Sequence, residues 1–91
     1  MHEAAVMQDL MAELGRVAAG AGGARIRTVR VWLGALSHFT PGHFREHFET
    51  EAAGGPAAGA AILCECSDDI VHDDAGGVRL LSVEIEDDRH A

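Results

Sequence analysis

At Gly20-Ala21-Gly22-Gly23 the spacing of apolar residues changes from helical to alternate. Before this run, Val6, Leu10, Leu14 and Val17 recur every three or four residues, and Met7, Met11 and Ala18 widen the stripe. Gln8, Asp9, Glu13 and Arg16 take the opposite side, so the spacing predicts an amphipathic helix from Ala4 to about Ala19. After the run, Val29, Val31 and Leu33 alternate with Thr28, Arg30 and Trp32, which predicts a strand over Arg25–Leu33. A one-sided helix and a one-sided strand each need a partner to cover the apolar face. The chain is thereby directed to a layered α/β (α+β) architecture.

The remaining segments extend that pattern. Thr40-Pro41 opens a second helix, with Thr40 as N-cap and proline at the first helical position, where its missing N–H costs nothing. Phe44 and Phe48 fall one turn apart on its apolar face, and Gly54-Gly55-Pro56 ends it. Ala60 to Cys66 is a second strand, whose inner face is assigned to Ile62, Cys64 and Cys66 because the alternative would bury Glu65. Ser67 to Gly77 is a polar loop. Val78 to Glu86 is a third strand, expected to point Leu81, Val83 and Ile85 inward, and Asp87 to Ala91 is a charged tail. The order α-β-α-β-β implies a three-stranded sheet with two helices on one face. Ninety-one residues make a single domain, 1–91, with a thin core.

Fifteen acids against seven arginines, with no lysine, give a formal charge of -8. Such a field repels phosphate, so neither nucleic acid nor an anionic membrane surface is an expected partner; cations or a basic protein surface are. No apolar run reaches bilayer length, and an acid at position 3 argues against a signal peptide, so a cytoplasmic location with reduced cysteines is expected. There is no Gly-x-Ser-x-Gly and no phosphate-binding Gly-Lys-[Ser/Thr], and the cysteines lack a positioned base. The chain is not expected to be an enzyme.

Three groups of residues could hold metal. In Met1-His2-Glu3, the terminal amine, the His2 backbone nitrogen and His2 Nδ1 can close a five- and a six-membered chelate ring on one ion. Flat nitrogen coordination of that kind suits Ni(II) or Cu(II) over Mg(II) or Ca(II). The bulky second residue should keep Met1 in place. Without metal, the same tripeptide is a polar chain end, with Glu3 complementing the helix dipole. In the second group, His43 and His47 stand one turn apart and could grip one ion, or could simply flank Phe44 and Phe48; His38 precedes them in a loop. In the third, Cys64, Cys66 and His72 could bind Zn(II) or Cu(I), although small buried cysteines commonly serve as hydrophobes. Asp68, Asp69, Asp73 and Asp74 lack the spacing and closing glutamate of an EF-hand and read as a solvated loop. Trp32, outward on its strand, is either a contact for a partner or an ordinary sheet-face residue.

Met1-His2-Glu3 opening an amphipathic helix, the strand Ile26–Leu36 with its Gly34-x-x-Ser37 turn, the helix bearing Phe44 and Phe48-Glu49, and the closing strand Arg79-Leu80-Leu81-Ser82-Val83-Glu84-Ile85 together resemble the HypA/HybF-type nickel-insertion metallochaperones. The likeness runs to about Cys66 and resumes at Val78–Glu86. It implies a Ni(II) carrier for hydrogenase, and in some bacteria urease, maturation. Met1, His2 and Glu3 would hold the ion, which would pass to a GTPase accessory protein, the hydrogenase large subunit or urease accessory proteins; a homodimer is left open. Two departures stand out. The family inserts a zinc-binding domain with two Cys-x-x-Cys pairs where this chain has only loop 67–77, so zinc is not expected. Thr40 also occupies a position where the family commonly carries an acid, a gap that His38 could fill. Two rivals remain: a metal-free protein-interaction module derived from that family, and a thiol-based Cu(I) or Zn(II) buffer.

Overall fold

The computed structural model describes residues 2–86, the side chain of His2 excepted; Met1 and the tail Asp87–Ala91 lie outside the described residues. Helix α1 spans His2–Gly20, strand β1 Ile26–Leu33, helix α2 Pro41–Ala52, strand β2 Ala61–Cys66 and strand β3 Val78–Ile85. The sheet order is β2-β1-β3, with β1 parallel to β2 and antiparallel to β3. Parallel pairing requires a crossover, and α2 supplies it. Strand β1 occupies the centre, where Val29, Val31 and Leu33 are almost wholly buried.

The apolar stripe of α1 is centred on Met7, Leu10, Leu14 and Ala18, with Val6 and Val17 at its half-buried margin. The helix stops as its glycines require. The Gly23 N–H donates to the Ala18 carbonyl at 2.8 Å and that of Gly22 to Ala19 at 3.1 Å, while Gly22 takes φ 75°, the left-handed conformation that closes such a cap. In α2, Phe44, Phe48 and Ala52 are buried. Both helices pack on the sheet face that carries Ile62, Cys64, Leu80 and Val83. The opposite face leaves Leu63 and Leu81 exposed, pairs Arg30 with Glu65, and half-buries Trp32 against the His72 ring at 4.9 Å. Among the described residues no helix is long and apolar enough to cross a membrane.

Two expectations of facing fail. Leu81 points outward, at 43% exposure, and Leu80 points inward in its place. The register explains it: Arg30 pairs with Ser82 but Val31 with Leu80, so Leu81 is an extra residue opposite β1 and the alternation shifts by one. A matching irregularity on β1 lies at Arg27, between the Ile26–Ile85 and Thr28–Glu84 pairs, and lets both Ile26 and Val29 face the core. Cys66, assigned to the inner face, is exposed as the last residue of β2, at the edge of the sheet, whereas Ile62 is buried and Cys64 half-buried as expected.

Loop 67–77 is tied down rather than free. Its Ala75 carbonyl accepts from the Leu36 N–H at 2.7 Å, its Gly77 carbonyl accepts from Gly34 at 2.9 Å, and Ala75 itself is buried. The Gly34–Ser37 turn, closed by the Ser37 N–H donating to the Gly34 carbonyl at 3.0 Å, thus sits against this loop and directs the chain toward α2.

Candidate metal centre

The start of α2 is set by its cap. Thr40 holds an extended backbone, and its Oγ1 accepts from the His43 N–H at 3.2 Å, fixing the turn on which His43 stands. His47 follows one turn later on the same side. Phe39, just before the cap, is buried edge-on against Phe44 at 5.2 Å and lies beneath both imidazoles, with ring centroids 5.8 Å from His43 and 6.4 Å from His47. An aromatic floor therefore limits where the two rings can go.

Packing of α1 on α2 brings the first turn of α1 to this spot. Glu3 Oε1 lies 3.6 Å from His43 Nε2 and 3.6 Å from His47 Nε2, while the two Nε2 atoms are 2.9 Å apart. Among the described residues, Glu3, His43 and His47 form a group of potential ligands whose donor atoms converge. Their side chains are 32%, 40% and 42% exposed, so an ion could reach them from solvent without opening the core. The imidazoles are inclined at 62° and are not stacked. For the two Nε2 atoms to share a hydrogen bond, one must carry a proton and the other must not.

The sequence-derived candidates are distributed as follows. Glu3 is in the converging group. Met1 and the His2 side chain lie outside the described residues. His38 is exposed, takes a left-handed φ of 67° and is not part of the group. Cys64, Cys66 and His72 are not brought together as a ligand set. Cys64 faces the core side of β2, Cys66 is exposed at the strand end, and His72 Nδ1 accepts from the Asp74 N–H at 2.9 Å within its own loop. Partial burial raises the Cys64 thiol above its ordinary range; nearby Arg45 opposes this and Cys66 adds to it. A raised pKa leaves less thiolate, the form that binds metal. Of the loop acids, Asp69 Oδ1 accepts from the Val71 N–H at 3.1 Å and Asp74 pairs with Arg79 at 3.6 Å, the roles of turn formers and surface charges.

What sequence reasoning missed is the union of Glu3 with the histidine pair. The spacing of His43 and His47 marks them as a two-ligand grip, but nothing in the chain says that the first turn of the other helix lands on them.

A family model described as hydrogenase/urease nickel incorporation, metallochaperone, hypA matches residues 1–72. That stretch contains α1, β1, α2 and β2 and ends inside loop 67–77, so β3 lies beyond it. A solved structure described as the solution structure of HypA protein superposes with a TM-score of 0.70 at 23% identity, covering 94% of this chain and 97% of that one. No curated protein matches the chain.

Proposed function

Since the chain belongs to the HypA family of hydrogenase/urease nickel-incorporation metallochaperones, we propose that it carries Ni(II) on Met1, His2 and Glu3 and surrenders it to a maturation partner. The observation that carries this reading is the position of α1, which begins at His2. The first backbone N–H groups of a helix have no intrahelical acceptor, so ionising those of His2 and Glu3 breaks no helix bond. The positive end of the helix dipole also stabilises the anionic nitrogens that result. With the Met1 amine and His2 Nδ1, these nitrogens would make a flat set of strong-field donors, the arrangement that Ni(II) favours. Each amide proton lost makes binding tighter as pH rises.

Release follows from the same arrangement. The proposed chelate would sit at the first turn of α1, away from the buried residues Met7, Leu10 and Leu14, so a partner could take the ion without disturbing the core. A GTPase accessory protein of nickel insertion, the hydrogenase large subunit and urease accessory proteins are the proposed recipients. Loop 67–77 stands where relatives would carry a zinc domain, so docking must rely on the α/β body. The family's described role is nickel incorporation, carriage of metal rather than catalysis.

The test is titration of untagged protein with Ni(II). A diamagnetic species with the absorption of flat coordination should form, His2→Ala should abolish it, and one extra glycine before Met1 should weaken it. If the untagged protein retains no nickel against a competing chelator yet still binds a maturation partner, the metal-free interaction module is the correct alternative.

A further inference from the structure

We propose that Glu3, His43 and His47 form a second metal site, separate from the terminal amine, that takes a divalent first-row ion such as Co(II), Zn(II) or high-spin Ni(II). Separations of 2.9, 3.6 and 3.6 Å place the two Nε2 atoms and Glu3 Oε1 on a circle of radius about 2.0 Å, which is the bond length such ions make to imidazole and carboxylate. An ion at or just above the centre of that circle would bond all three donors with little movement.

The position of the carboxylate between the rings suits an ion. At 3.6 Å the carboxylate oxygen is too far from either nitrogen for a hydrogen bond, yet it stands equally far from both. A direct ion pair would draw it to one ring. Equal standoff from two donors is the arrangement a shared central cation would occupy.

The donor set also defines the class of ion. Two neutral imidazoles and one carboxylate suit zinc, cobalt and nickel, whereas magnesium and calcium seek oxygen alone. Three protein ligands leave positions open to water or to an incoming ligand, so the ion would remain exchangeable. Phe39 beneath the rings and the Thr40 cap behind His43 hold the pair in place.

Glu3 links this site to the proposed nickel chelate, because its backbone nitrogen belongs to one and its carboxylate to the other. The second site therefore offers a waiting place for an ion entering or leaving the terminal chelate; that role, but not the existence of the site, rests on the proposed function.

Co(II) alone is the probe, added to the protein with one glycine before Met1, with visible d–d absorption and stoichiometry as readouts. One Co(II) per chain should bind and Zn(II) should displace it. The pair His43→Gln with His47→Gln should weaken binding ~100-fold or more, since loss of even an outer-shell partner costs 10–100-fold. Glu3→Gln should weaken Co(II) binding as well, since it replaces the charged donor of the three by a neutral amide. Circular dichroism of each variant checks folding; should the histidine pair fail to fold, Glu3→Gln decides. Unchanged Co(II) uptake in folded variants, or loss of uptake on adding the glycine, overturns the proposal. Absence of the nickel band in untagged protein would sink the terminal chelate instead, leaving the Co(II) result standing.

Discussion

Replacing Gly34 by alanine tests how the turn before α2 is seated. A Cβ at Gly34 would stand 2.2 Å from the Ala75 carbonyl oxygen, 2.6 Å from its carbon and 2.8 Å from the Asp74 oxygen, all backbone atoms. Ordinary carbon–oxygen contact begins near 3.3 Å, so loop 67–77 must retreat by about 1 Å. That retreat strains the Gly34–Gly77 and Leu36–Ala75 hydrogen bonds, worth ~1 kcal/mol each. Overpacking adds ~1–3 kcal/mol, and the reduced freedom of the unfolded chain returns ~0.4–1 kcal/mol. The net cost is ~2–4 kcal/mol, a large part of the ~5–14 kcal/mol expected for a domain of this length. Urea denaturation followed by the single Trp32 and by circular dichroism measures it, with a fall in Tm of ~10–25 °C as the parallel readout. Gly15→Ala is the internal control. A Cβ there meets nothing within 4 Å inside α1, so it should stabilise by ~0.5–1 kcal/mol. If Gly34→Ala lies within ~0.5 kcal/mol of the parent, below the range expected for overpacking, the close seating of the two loops is refuted.

Thr40→Ala should cost ~1 kcal/mol through loss of the cap on the His43 N–H, and Thr40→Asp, which can still cap, should restore most of it; thermal melts compare the three. Leu80→Ser should destabilise by ~1–2 kcal/mol, as expected for removing a half-buried apolar side chain, whereas Leu81→Ser should change stability by less than ~0.5 kcal/mol; reversal of that order in urea would disprove the bulge. Cys66 should be alkylated well before Cys64 at mildly alkaline pH, as mass spectrometry of tryptic peptides will show, because Cys64 is partly buried and its thiol pKa is raised. The same shift fixes a sign for stability. Between the ordinary thiol pKa and the raised one the folded chain holds a proton that the unfolded chain has lost, so the Cys64 contribution is full below that window and declines as pH rises through it. Cys64→Ala should flatten this alkaline decline.

Most of the architecture was legible because its determinants are local. Apolar spacing located α1 and α2, Thr40-Pro41 placed the start of the second helix, and the alternation of Val29, Val31 and Leu33 identified the central strand and its inner face. The error at Leu81 has a definite origin. Side-chain facing in a strand has a period of two only while pairing is regular, and a bulge is decided by both strands at once. Leu80-Leu81 offers two adjacent apolar residues, either of which can satisfy a core face read from one strand alone. Cys66 shows a related limit: alternation assigns a side, but burial also needs something overhead, and Cys66 ends an edge strand.

The metal centre divides along the same line. A one-turn spacing makes the His43–His47 pair readable, since residues four apart share a helix face whatever the rest of the chain does. Glu3 was readable only as an acid in a first helical turn, where the dipole welcomes it without specifying a direction. Its direction comes from α1 lying against α2, a contact between residues forty positions apart in the chain that no local rule supplies. Dipole stabilisation alone would leave the carboxylate free to follow its own helix or solvent; the structure instead holds it equidistant from two imidazoles of the other helix. Helix packing and attraction to the imidazoles bring it there, and a cation shared by all three donors, as proposed above, would satisfy the same distances.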